Sequence, residues 1–191
     1  MSMSFHQPLR EAPRAPLSAC IERSTLLTDQ TVRWGETALR MRYFVGAFQP
    51  PLDLVTSIRA VLFRDAEVMV MTDARGSCHV NPGGRREPGE SSEDTLRREL
   101  IEETGWTIRE SKFIGFIHFR HLGPRPDAYP YPYPEFVQLL FVAEAGEHLA
   151  PAQLTLEYEV ASEFLPIDEA HRLLDTGGAA VLAAATRLRT G

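Results

Sequence analysis

The stretch GRREPGESSEDTLRRELIEETGW, Gly84 to Trp106, carries seven carboxylates in twenty-three residues, with arginines among them and glycines at positions 84, 89 and 105. No other part of the chain narrows its possible folds so far. Ser91 or Ser92 offers an N-cap and Gly105 a C′ glycine, so the acidic run between them reads as a helix. At about 100° per residue, Glu102 lies about 60° to one side of Glu99 and Glu103 about 40° to the other, so the three share one wedge of surface. Glu93, Asp94 and Arg97 point away from it. Leu96 and Leu100 form an i, i+4 row beside the wedge, and their burial would hold the three carboxylates at the margin of the core.

Three like charges so close favour protonation of at least one unless something positive offsets them. Hard divalent cations such as Mg²⁺ take carboxylate, water and phosphate oxygens, which this cluster can supply. Arg98 has the rigid fork to orient one oxygen of Glu99 and leave the other free. Gly83, Gly84 and Gly89 allow turns that bring a carbonyl oxygen toward the same place, and Glu90 sits where loop meets helix. The competing account is a solvated helix with Glu–Arg pairs worth a few tenths of a kcal/mol each. It explains the charge but not the glycine spacing.

From Gly84 the order is five residues, Glu90, seven residues, Arg98, Glu99, Leu100, one residue, Glu102, Glu103, one residue, Gly105 and Trp106. This resembles a complete Nudix box, with no departure at a fixed position. At ~7% usage for each fixed residue type, seven matches arise by chance on the order of once in 10⁸ windows. The flanking HVNPGG and FLPIDEA agree, and the resemblance covers about residues 54 to 176. It implies an α/β fold of the α+β type, a mixed β-sheet sandwiched between helices. It also implies a hydrolase that cleaves a pyrophosphate bond in a nucleoside diphosphate linked to another group, using Mg²⁺ or Mn²⁺. On that basis Glu99, Glu102 and Glu103 bind metal, with the Gly84 carbonyl and Glu90 as further members. Glu99 is also the box candidate for activating water, with Arg98 orienting it. A sensor that binds a nucleotide without cleaving it, or a hydrolase of a non-nucleotide diphosphate, are the alternatives.

A base or extra ligand outside the box is sought among Glu157, Glu159 and Glu163, with Glu159 favoured; each is equally well a surface residue. Arg59, on an early strand, can reach phosphate oxygens or simply be exposed. Arg85 and Arg86 follow the Gly84 turn and are candidates for phosphate contact. Tyr129, Tyr131 and Tyr133 lie in the stiff, extended YPYPYP tract and can offer flat faces to a base, or cap the sheet or a dimer partner. His118 and His121 lack a metal-ligand pattern and fit packing or surface roles better.

Elsewhere, TALRMRYFV (37–45) alternates as a half-buried strand, while LVTSIRAVLF and EVMVMTD make a hairpin about a short polar turn. Strands are expected at 113–121, 136–144 and 160–165. The segment IDEAHRLLDTGG reads as a helix stopped by Gly177 and Gly178, and AAVLAAA as a core helix, too short for a membrane span. Residues 1–36 are read as a partly irregular arm and 37–191 as one domain, with an extra N-terminal strand at 37–50 and a C-terminal helix from 177. The formal charge of −6 argues against nucleic-acid or membrane partners and for a small nucleotide substrate. Cys20 and Cys78 form no zinc or disulfide pattern and fit a reducing cytoplasm. A homodimer through the N-terminal strand stays open.

Overall fold

Two runs rich in β-branched residues meet at a turn where Asp65 takes φ 52°, giving strands β3 (Val55–Arg64) and β4 (Glu67–Asp73). The computed structural model describes residues 12–149 and 159–189, and for residues 159 and 160 the backbone only. In it, β3 is the centre of a mixed sheet. It pairs in parallel with β8 (Glu135–His148) and antiparallel with β4. A strand flanked on both edges and covered on both faces should be almost continuously apolar. In β3, VTSIRAVLFR, six of the ten residues are apolar, four of them the unbroken run Ala60 to Phe63, and Arg59 and Arg64 are its only charges.

Outward from β8 come β7 (Trp106–His121), β2 (Thr37–Val45) and, at the edge, β1 (Thr25–Trp34). Beyond β4 lies the short β5 (Cys78–His79); β6 (Gly83–Arg85) pairs with the first half of β3, and β9 (Glu159–Pro166) with β4. The expected strand at 113–121 thus starts earlier, directly after Gly105. The stretch 1–36, read as an arm, contains a short helix α1 (Leu17–Glu22) and the whole of β1.

Helix α2 (Ser92–Thr104) begins at Ser91, whose hydroxyl accepts from the Asp94 N–H while the Asp94 carboxylate accepts from the Ser91 N–H, a reciprocal capping box. It ends at Gly105 in the left-handed region. Leu96 and Leu100 are fully buried against one sheet face, together with Ile58, Leu62, Phe116 and Leu139. The other face is covered over part of its length by α3 (Ile167–Leu173) and α4 (Thr176–Arg189), through Val181, Leu182 and Ala185. The layers are therefore helix, sheet, helix, as expected.

Gly177 and Gly178 do not stop a helix; they lie in the first turn of α4. α3 gives out at Leu174, whose backbone is extended, and Asp175 starts the next helix by accepting the Gly178 N–H on its side chain at 2.7 Å and the Ala179 N–H on its carbonyl at 2.9 Å. An aspartate N-cap three residues ahead thus overrides the glycine pair. No helix among the described residues is long and apolar enough to cross a membrane.

Candidate active site

The loop from β6 into α2 is folded around one side chain. Arg98 donates from Nε and Nη2 to the two oxygens of Glu90, at 2.7 and 3.0 Å. Its Nη1 serves Glu99 Oε1 at 2.8 Å and Glu102 Oε2 at 3.1 Å, and its Nη2 also reaches the Arg85 carbonyl at 2.9 Å. Only a planar, multi-donor guanidinium can hold this many acceptors at once. Glu90 further accepts from the Glu87 N–H and the Thr95 hydroxyl. The ion pair with Arg98, backed by those two bonds, holds the Glu90 carboxyl down at about 2.

Glu99 has the opposite environment. It is nearly buried, with 12% of its side chain exposed, and burial raises its pKa against the opposing pull of Arg98; Glu102 adds to the rise. Its carboxylate lies over Gly84, where a Cβ would stand 2.2 Å from Oε2. Gly83 beside it takes φ +132°, a conformation that side chains disfavour, and its N–H donates to Glu103 Oε2 at 2.6 Å. Gly84 thus leaves room for Glu99, while Gly83 holds Glu103 through its N–H.

Arg59 stands on β3, on the sheet face opposite the Leu96–Leu100 contacts. Its Nε donates to Gln138 Oε1 at 3.0 Å and its Nη1 to the Asn81 carbonyl at 3.1 Å, and its positive charge is felt at Glu99 and Tyr43. Gln138 was missed from sequence, although a lone amide within the apolar run FVQLLFV was the signal for it. Tyr43, whose hydroxyl is pushed up in pKa by burial, with Arg59 opposing and Asp175 adding to the rise, shows in the sequence only as part of the alternating strand 37–45.

The arginines after Gly84 diverge. Arg86 is tied to the Glu90 carbonyl at 3.2 Å, whereas Arg85 lies over the Tyr131 ring at 5.1 Å. Tyr131 meets Tyr129 edge-on, and Tyr129 meets His121 in the same way at 4.8 Å. The proline-rich connection is thus drawn to the box loop. Tyr133 also packs on His121 and donates its hydroxyl to the Gly123 carbonyl. His118 is fully buried, accepts Arg42 Nη2 at 2.9 Å on Nδ1 and faces Glu135 at 3.3 Å; desolvation, with Arg42 adding to it, lowers it to about 4. That is a packing role, as expected. Glu163 is exposed on β9, opposite Val70. Glu157 and the side chain of Glu159 lie outside the described residues.

Among the described residues, no three acidic, histidine or cysteine side chains converge as a ready-made ligand set. Arg98 holds Glu99 Oε1 and Glu102 Oε2. The donor chemistry nevertheless fits a hard cation. Every candidate is an oxygen, and Glu99 sits in a glycine cradle that a Cβ would fill, in surroundings that disfavour its charge.

A family model for the NUDIX domain matches residues 53–185. The chain belongs to the Nudix family. The expectation of a Nudix-type hydrolase with a mixed sheet between helices is met. Similar in fold are the Bacillus subtilis pyrophosphohydrolase BsRppH (TM-score 0.56, 15% identity, covering 84% of this chain and 96% of that one) and a NUDIX hydrolase from Nitrosomonas europaea (0.52, 19%, 71% and 90%). So is the NUDIX domain of Shewanella oneidensis NrtR complexed with ADP ribose (0.52, 18%, 72% and 88%). α1, β1 and β2 of this Nudix protein precede the residues matched by the family model.

Proposed function

We propose that this Nudix protein hydrolyses a pyrophosphate bond in a nucleoside diphosphate linked to a second group, with Mg²⁺ or Mn²⁺. The observation that carries this is the Arg98 hub, which fixes Glu90, Glu99 and Glu102 beside the Gly83–Gly84 turn that receives Glu99 and Glu103. Glu99, Glu102 and Glu103, with the Gly84 carbonyl, would hold the cation, which when bound offsets charge on the diphosphate and lowers the pKa of the attacking water. Glu90, both of whose oxygens are engaged by Arg98, acts as the anchor that positions Arg98. Glu99 is the proton acceptor for the attacking water: its desolvation makes proton uptake favourable, and Arg98 occupies only one of its oxygens. Arg59, held by Gln138 and Asn81, presents its remaining N–H groups to phosphate oxygens, and Arg85, paired with Ser57 on the neighbouring strand, is a second candidate for phosphate contact. Glu159 remains the proposed base or ligand outside the box. Cys20 and Cys78 are free thiols, and we place the protein in the cytoplasm.

Incubation with a nucleotide panel and Mg²⁺, scored for phosphate-containing products, tests this. Cleavage to a mononucleotide and a second phosphorylated product is the expected result, and Glu103→Gln should abolish it while the fold survives. Binding without cleavage would identify a sensor and overturn the proposal; cleavage confined to non-nucleotide diphosphates would overturn the substrate class.

A further inference from the structure

On the face that carries Arg59, side chains two residues apart on one strand stand about 7 Å apart, so β8 works as a ruler. Gln138, which holds Arg59, is followed two residues back toward the strand's start by Phe136. Phe136 stacks on its cross-strand partner Phe119 at 4.8 Å and 8°. Trp34, at the end of β1 and half exposed, lies against both rings. On the other side of Phe136 comes His121, then Tyr129 and Tyr131, and finally Arg85 of the box loop. Ring contacts therefore run unbroken from the N-terminal hairpin, through the buried Phe119, Phe136 and His121, to the phosphate end of the site.

His121 is the anomaly in this surface. It is 6% exposed, and neither of its ring nitrogens has a hydrogen-bond partner among the described residues. A buried polar atom left unpaired is destabilising, and a phenyl ring would fill the same place without that cost. Burial lowers its pKa, so the ring is neutral near pH 7, with one N–H donor and one acceptor nitrogen. Its backbone is held in place, since the His121 N–H donates to the Pro134 carbonyl at 2.9 Å. A flat environment with one donor and one acceptor suits a planar nitrogen heterocycle, which stacks on rings and hydrogen-bonds at its edge.

We propose that His121 is the specificity-determining residue of a nucleobase subsite, with the tyrosines of the 128–134 connection on one side and Trp34 of the N-terminal hairpin on the other. This rests on the diphosphate reading of the Arg59 and Glu99 end. The N-terminal hairpin, which the family match leaves out, then acquires a role in recognition.

The test uses the full chain in Mg²⁺ and ligands whose P–C–P bridge resists cleavage: methylene analogues of the four common nucleoside diphosphates, and methylenediphosphonate without a nucleoside. Calorimetry should show the wild type binding at least one nucleoside analogue more tightly than methylenediphosphonate. His121→Phe, which keeps an aromatic ring but no nitrogen, should weaken that analogue about tenfold, the value of one hydrogen bond to a buried group. Methylenediphosphonate affinity should stay unchanged, which also shows that the variant folds. Either His121→Asn or His121→Gln, which place an amide near one ring nitrogen, should recover part of the loss. Unchanged nucleoside affinity in His121→Phe overturns the proposal, as does equal weakening of both ligand types, which marks a structural role. Wild-type binding of methylenediphosphonate as tight as that of every nucleoside analogue overturns the subsite but keeps the diphosphate reading. Binding of neither class removes both.

Discussion

Adjacent glycines should respond very differently to alanine. At Gly84 the nearest atoms to an added Cβ all belong to the Glu99 carboxyl group, at 2.2, 2.4 and 2.6 Å. That group is the end of a flexible side chain, so Glu99 can retreat by about 1 Å to ordinary contact and the backbone need not move. A misplacement of that size in reacting geometry costs on the order of 100-fold, or ~2.7 kcal/mol of barrier. Gly84→Ala should therefore lose roughly two orders of magnitude in kcat while its unfolding midpoint changes by only a few degrees. At Gly83 the added atom would meet the Ile58 carbonyl oxygen at 2.3 Å, and φ is +132°. Backbone must shift there, and the β3–β6 pairing goes with it. A cost of about 2–4 kcal/mol lowers the midpoint by roughly 10 °C. Thermal melts of both variants, with turnover on the best substrate of the nucleotide panel, measure the contrast. Wild-type turnover in Gly84→Ala, or equal destabilisation by the two changes, would refute the reasoning.

Arg98→Lys keeps the charge but loses the planar fork, so turnover should fall at least tenfold, with the midpoint lowered by an amount reflecting lost charged hydrogen bonds worth about 1.5–3 kcal/mol each. Gln138→Leu unseats Arg59 without touching the carboxylates, and steady-state kinetics should show a higher KM with little change in kcat. For pH, Glu90 sits near 2 when folded against an ordinary 4.5, so the unfolded chain binds more protons between those values. The stability it contributes is complete above 4.5 and disappears as pH falls toward 2, and urea midpoints across that range should be flatter in Glu90→Gln. Glu99 has the opposite sign: its raised pKa means stability is lost as pH rises through the folded value. In metal-free buffer at pH 7.5, Glu99→Gln should thus melt a few degrees above the wild type while losing turnover, and an unchanged or lower midpoint counts against the buried-charge account.

The spacing from Gly84 to Trp106 was legible because a helix and a tight turn are local structures. Caps at Ser91 and Gly105 and the Leu96–Leu100 row follow from residues a few positions apart, and the structure has them all. The β3–β4 hairpin was readable for the same reason. The Gly177–Gly178 pair was misread because glycine marks both ends of helices, and only Asp175, turned to cap the next one, settles which. What no local pattern reveals is pairing across long separations. The parallel register of β3 with β8 puts Gln138 beside Arg59, 79 residues away, and β7 beside β8 stacks Phe119 on Phe136. Likewise Arg98 was expected to orient one carboxylate, and the folded loop gives it three. Residue order alone thus determined which side chains carry charge and that three of them share a helix wedge. Tertiary structure decided their states, because burial and the Arg98 hub, both products of distant segments meeting, raise Glu99 and lower Glu90 in pKa on adjoining stretches of the same motif.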